Sequence, residues 1–234
     1  MDKYKRRRII AVIMSTIAFL IAIFMNTPQY SPPVKTERLI NTEDSTQSIL
    51  AIDALRDIEI KGRAPKTGYE RSQFGDGWIK KQGCDMRDII LNRDLDDVIA
   101  NDKCQVASGT LKDPYTNKVI AFKRGDSSSS LIQIDHVVAL SDAWQKGAQF
   151  WLLDKRIEFA NDPLELIAVE GQANQQKGDG DAATWLPPNK SFRCQYVSRQ
   201  IAVKRKYGLW VTQAEYEAMV NILSKCEGQL LPTE

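Results

Sequence analysis

Histidine is nearly absent from this chain: His136 is the only one in 234 residues. That excludes every site built on two or more histidines, including the histidine pair of zinc peptidases. No G-x-S-x-G occurs either, and an Asp adjacent to a His on a strand points to the opposite face, so a Ser-His-Asp hydrolase is not supported. The four cysteines, at 84, 104, 194 and 226, include no pair with the close spacing of a structural zinc site. A charge bias is missing as well. Lys plus Arg total 32 against 30 Asp plus Glu, a net of +2, too even to announce a nucleic-acid or membrane partner through bulk charge. With 43% hydrophobic and 26% charged residues, composition is that of a globular protein, and the length suits one domain plus extensions.

The even balance hides an uneven distribution. Residues 1–8 carry Lys3, Lys5, Arg6, Arg7 and Arg8 against Asp2, a net of +4, which leaves 27 basic and 29 acidic residues for the remainder. Behind this basic tip, Ile9 to Met25 is a run of 17 uncharged, mostly apolar residues, the lower limit for a helix spanning a bilayer and longer than a usual signal-peptide core. The expectation is a transmembrane anchor with the basic tip in the cytoplasm and the rest of the chain outside, or a secreted protein after signal cleavage. The mature N-terminus distinguishes the two. Residues 26–44 hold three prolines and no periodic pattern, and read as a linker to a domain over 45–228. An even cysteine count behind an export signal implies two disulfides. The sequence-local pairing, Cys84 with Cys104 and Cys194 with Cys226, is expected among the three that four cysteines allow.

Within the domain, Ile49, Leu50, Ile52, Leu55 and Ile58 recur at helical spacing. The stretch 61–85 is rich in glycine and turn formers yet holds Tyr69, Phe74 and Trp78, so it should be an ordered loop packed by its aromatics. A short helix is expected over 86–98. A turn over 113–117 leads into a strand at 118–122, and the serines at 127–130 read as plain loop. Trp185, Tyr207 and Trp210 belong to the core rather than to a base-stacking surface. The class is α+β.

Candidate chemistry begins at Leu131. LIQIDHVVAL is strongly β-forming, 141–160 is a mostly helical excursion, 164–169 is a second β run, and 170–179 is a polar segment with helical potential ended by glycine. Strand, insertion, strand, helix is the order in which a ββα unit over about 131–182 would set Asp135 and His136 on a hairpin facing Asn174. A neutral imidazole suits a general base, His136. Asp135 and Asn174 offer oxygen donors, which favour a hard divalent ion, Mg2+ ahead of Mn2+, over zinc. Asp179 and Asp181 are expected as turn caps rather than ligands.

Asp135-His136-Val137-Val138 followed by Asn174 and Lys177 resembles the HNH, or ββα-metal (His-Me finger), nuclease motif, in the variant where Lys-Gly-Asp replaces the last His. More closely, IDHVVALSDAWQKGA, NDPLELIAVEGQANQQKGDGDAATWLPP and GYERSQFGDGW with CDMRDIILNRDL are similar to exported bacterial proteins of the HNH family that includes the C-terminal domain of GmrSD-type restriction enzymes, from about residue 48 to about 225. The resemblance implies a ββα-metal core embedded in further helices, and an exported, metal-dependent endonuclease acting on DNA ahead of RNA with low sequence specificity. The alternative is a catalytically weak nucleic-acid-binding or structural domain that keeps the fold. The resemblance makes His136, Asp135, Asn174 and Lys177 the catalytic set and Asp135 and Asn174 the metal-site residues; Lys177 is expected to touch phosphate. From 182 to 214 there are six basic residues, Lys190, Arg193, Arg199, Lys204, Arg205 and Lys206, and no acidic ones. This stretch and Lys177 are the expected nucleic-acid-binding surface.

Overall fold

The structure is a computed structural model that describes residues 49–125 and 130–232, with Asp2 and Tyr4 before them. The basic tip, the apolar run at 9–25, the linker and most of the serine loop therefore lie outside the described residues. Among the described residues no helix is long and apolar enough to cross a membrane.

The domain opens with α1 (Ala51–Arg56), a 3-10 turn (Arg71–Phe74) and a two-residue hairpin, β1 (Lys80–Lys81) with β2 (Cys84–Asp85). Then follow α2 (Met86–Asp94) and three strands, β3 (Asp96–Ala100), β4 (Val106–Lys112) and β5 (Val119–Lys123). The second half runs β6 (Ile132–His136), α3 (Leu140–Gln145), α4 (Leu153–Ala160), β7 (Leu166–Glu170), α5 (Gly171–Lys177), α6 (Arg193–Tyr207) and α7 (Gln213–Leu223). The class is α+β, as expected, and the insertion between β6 and β7 is helical. The expected helix over 86–98 stops at Asp94 instead. Asp96–Ala100 is an edge strand of the antiparallel sheet β3-β4-β5. Its exposed, non-alternating side chains give no period-2 signal from which a strand could be read.

The antiparallel β6–β7 pair, with His136 opposite Leu166 and Asp135 opposite Ile167, is a wall between two cores. Ile132, Ile134, Leu166 and Ala168 pack with α2 and the three-stranded sheet. Ile167 and Val169 pack with Ala173 of α5 and with the helices α1, α3, α4, α6 and α7. Helix α5 leaves directly from the end of β7. A Cβ on Gly171 would stand 2.4 Å from the Ser130 carbonyl oxygen, so only glycine lets the helix start this close to the hairpin. The Asp85 side chain accepts from the Arg87 N–H at the start of α2 and Thr212 accepts from the Glu215 N–H at the start of α7, two ordinary N-caps. Both expected disulfides are present, Cys84–Cys104 and Cys194–Cys226. The first ties the β1–β2 hairpin to the β3–β4 turn, and the second ties the start of α6 to the end of α7.

Charge is also used inside. The Lys146 ammonium lies 2.7 Å from Asp142, 2.8 Å from Asp181 and 2.6 Å from Glu215. Lys204 lies 3.0 Å from Glu215 and 3.4 Å from Asp142. Arg63 reaches Asp142 at 2.8 Å and Asp181 at 2.6 Å from the rim. Three cations thus balance three carboxylates, which is the condition for burying them at tolerable desolvation cost. Lys204 has its pKa raised: burial works against the charge, but Glu215 and Asp142 outweigh it. Burial likewise works against the Asp181 carboxylate, yet Lys146 and Arg63 hold it at about 2. Lys146→Met leaves the carboxylates short of a cation and should lower unfolding free energy in urea by about 3–5 kcal/mol. Because the folded pKa of Asp181 lies below its ordinary value of 3.8, its contribution is complete above about pH 4 and is lost as pH falls through about 2. The stability gap between wild type and Asp181→Asn should therefore shrink across that window, by an amount on the order of 2 kcal/mol.

Candidate active site at the end of the β6–β7 hairpin

Asp135, His136 and Asn174 line one cleft of about 420 Å³, with Arg71, Trp78, Arg87 and Asp179 on its walls. The pleat sends Asp135 and His136 to opposite faces of the hairpin, but His136 is the last residue of its strand, where both faces open into the cleft.

The His136 ring is held from two directions. Its Nε2 lies 2.9 Å from the Ala160 carbonyl oxygen, one of the terminal carbonyls that α4 cannot satisfy within itself. A carbonyl only accepts, so Nε2 carries the proton and Nδ1 is the lone-pair nitrogen. Trp78 stacks on the imidazole, with ring centroids 5.7 Å apart and planes 11° from parallel. Burial, the largest influence, and the charges of Arg71 and Lys177 push the ring's pKa down to about 3 against the raising effect of the Ala160 bond. The imidazole is therefore neutral at ordinary pH and has a lone pair to accept a proton, but so far below the ordinary value of 6.5 it is a weaker base than a free imidazole.

Asp135 is buried and doubly held. Lys177 donates to Oδ1 at 2.9 Å and to the His136 carbonyl at 2.7 Å, while the Tyr115 hydroxyl donates to Oδ2. Lys177 was expected to meet phosphate. Only 3% exposed, it is instead the counterion of Asp135, because the last turn of α5 lies against the hairpin and its side chain runs inward. Asn174, half-buried one turn earlier, donates from Nδ2 to Gln133 at 2.9 Å, which orients its Oδ1 as an acceptor. Glu165, absent from the sequence-derived set, accepts from the Val138 N–H at 3.1 Å and braces the loop after His136. Its burial raises its pKa well above the usual range. Tyr115, Trp78 and the Ala160 carbonyl were also missed. Tyr115 and Trp78 were legible only as turn and core residues, and a backbone carbonyl carries no sequence signal.

The expected basic surface is mostly spent internally. Lys204 is fully buried in the charge network. Arg199 donates to the carbonyls of Pro163, Leu164 and Leu166, Arg193 to that of Pro187, and Lys206 pairs with Asp162 at 2.9 Å. Lys190 and Arg205 remain exposed. Asp181 caps its own turn through the Ala183 N–H, as expected, and also joins the ion network. Asp179 pairs with Lys66 at 2.7 Å. Tyr207 and Trp210 are buried and Trp185 packs against the core, again as expected.

Residues 85–222 match the family described as GmrSD restriction endonucleases, C-terminal domain. The chain belongs to this family. The GmrSD match takes in Asp135, His136, Asn174 and Lys177 and begins after Arg71 and Trp78. The chain is also similar to an "Uncharacterized secreted protein" of Arthroderma benhamiae, 36% identical over 197 residues that cover 83% of this chain and 91% of that one. The bacterial source expected from the resemblance finds no support in these matches. No solved structure matches. Membership in the GmrSD family makes this a nuclease-type restriction endonuclease domain and implies nucleic acid as its partner.

Among the described residues no group of three or more His, Cys, Asp and Glu side chains could hold a metal ion. The side chains that share the cleft offer oxygens, Asp135 and Asn174 Oδ1. Each Asp135 oxygen keeps a lone pair beyond the one engaged. This sparse, hard donor set fits an ion such as Mg2+ that keeps several waters, and does not fit zinc. Lys177→Met strands the Asp135 carboxylate and should cost about 3–5 kcal/mol in denaturant titration, whereas exposed Lys190→Ala should change stability by less than about 0.5 kcal/mol.

Proposed function

We propose that this domain is an exported, metal-dependent endonuclease with an HNH (ββα-metal) core that hydrolyses DNA phosphodiester bonds with little sequence specificity. The observation that carries the reading is the fixed His136 ring, its Nε2–H committed to Ala160, in one cleft with the Asp135 and Asn174 oxygens. Its Nδ1 would take a proton from the water that attacks phosphorus. The P–O bond to the leaving oxygen then breaks, and that oxygen is protonated from solvent. Asp135 and Asn174 would hold a divalent cation, which supplies charge stabilisation at the phosphoryl oxygens. Lys177 keeps the Asp135 carboxylate in place and Trp78 keeps the imidazole plane. Action outside the cell is supported by the secreted relative and by the two disulfides, which persist in oxidising compartments.

The full chain incubated with supercoiled plasmid and Mg2+ should nick it, and a chelator should stop the reaction. Removing the general base in His136→Ala should slow nicking by roughly 10²–10⁴-fold. Nicking that persists undiminished in this variant overturns the mechanism. No cleavage with either Mg2+ or Mn2+ favours a nucleic-acid-binding domain instead.

A further inference from the structure

A second cavity, of about 370 Å³, lies behind His136. It shares His136, Trp78, Leu140 and Arg71 with the candidate active site, so the two meet at the imidazole and their common mouth carries Arg71. The size falls within the ordinary range for a small-molecule pocket. Its lining includes Trp78, which has one face on the imidazole, the buried Phe74, and Asp76 from the loop between Gly75 and Gly77. An aromatic side chain, a carboxylate that can accept from amino groups and a cation at the entrance are features that a nucleoside with an attached phosphate requires.

Arg71 differs from the other cations near the cleft. Lys66 is paired with Asp179, Arg63 with Asp142 and Asp181, and Lys177 with Asp135. Arg87 donates to the Ile132 carbonyl. Arg71 is exposed and its side chain has no hydrogen bond or ion pair among the described residues, yet its charge is felt at the His136 ring. A guanidinium with no acceptor among the described residues, beside the attacking base, is poised for an anionic oxygen of the substrate.

We propose that this cavity is a nucleoside subsite for the nucleotide next to the scissile bond, and that Arg71 binds the phosphate at its mouth. The inference rests on the nuclease reading for its substrate, but its test does not need cleavage. A fluorescein-labelled single-stranded oligodeoxynucleotide of about a dozen nucleotides is titrated with the full chain in chelator, followed by anisotropy at several salt concentrations. Arg71→Ala should weaken binding about tenfold at low salt and reduce the slope of log affinity against log salt by about 0.7, the loss of one phosphate contact on a single strand. Arg71→Lys should recover most of that slope, since the charge sets it. Ser72→Trp, which fills the cavity from its exposed rim, should weaken binding with the slope unchanged. In Mg2+, Arg71→Ala should raise KM for plasmid nicking.

Wild-type affinity and slope in Arg71→Ala, or no binding of the oligonucleotide by the wild-type chain, overturns the subsite. Unweakened binding by a folded Ser72→Trp variant also overturns it. Arg71-dependent binding without nicking supports the subsite and removes the nuclease reading. Nicking by a wild-type chain whose binding ignores Arg71 removes the subsite alone.

Discussion

Lys146, just past the end of α3, sits with no solvent exposure among three carboxylates drawn from three parts of the chain: Asp142 in α3, Asp181 after α5 and Glu215 in α7. An ammonium there is tolerable only with its partners present, and the carboxylates only with Lys146, Lys204 and Arg63. This mutual requirement decides where the elements around the cleft can stand. Helix α3 begins four residues after His136, so fixing Asp142 and Lys146 limits where the strand end carrying the imidazole can go. Asp181 follows Lys177 by four residues, which fixes the exit of α5 and with it the face carrying Asn174. Arg63 brings in the loop that continues to Arg71 and Trp78. Non-directional apolar packing would tolerate small slips among these segments. Paired charges at hydrogen-bond distance do not.

The same economy governs Asp135. A carboxylate at the hairpin end, buried without partners, would carry a large desolvation cost. Lys177 on one oxygen and Tyr115 on the other offset it. The consequence is that a lysine placed by its motif near phosphate is turned inward. Much of the basic run after α5 meets a similar fate, because helix α6 is wrapped by the carbonyls and carboxylates of the domain core and its cations satisfy them. What is left facing the cleft is a cation from a different part of the chain, Arg71. Few cations of the expected basic surface over 182–214 are therefore left free for a polyanion.

Much of the site could be read along the chain. Asp135 and His136 in a β-forming run, a helical excursion, a second β run and Asn174 and Lys177 at one-turn spacing specified a hairpin and helix in that order, and the hairpin and helix are where the pattern put them. The cysteines were close enough in sequence for local pairing to be favoured. The edge strand Asp96–Ala100 was hidden because both of its faces are largely exposed, and β4 because Val106-Ala-Ser-Gly-Thr-Leu-Lys112 is small and polar, with Gly109 packed against Leu95. Trp78 was readable as an aromatic in an ordered loop, but stacking on an imidazole nearly 60 residues away is a long-range contact with no local signature.

The sequence by itself determined which groups exist to do chemistry: one imidazole, an adjacent carboxylate, an amide and a lysine one turn apart, and an export-compatible cysteine count, all consequences of residue identity and short-range periodicity. Only the tertiary structure decided what each group faces. It protonated Nε2 of His136 by setting it against the end of α4, made Lys177 a counterion, withdrew Lys204 from solvent, turned Arg199 onto backbone carbonyls and left Arg71 at the mouth of the cleft. Burial and charge pairing are properties of segments brought together from far apart, and no spacing within one segment can encode them.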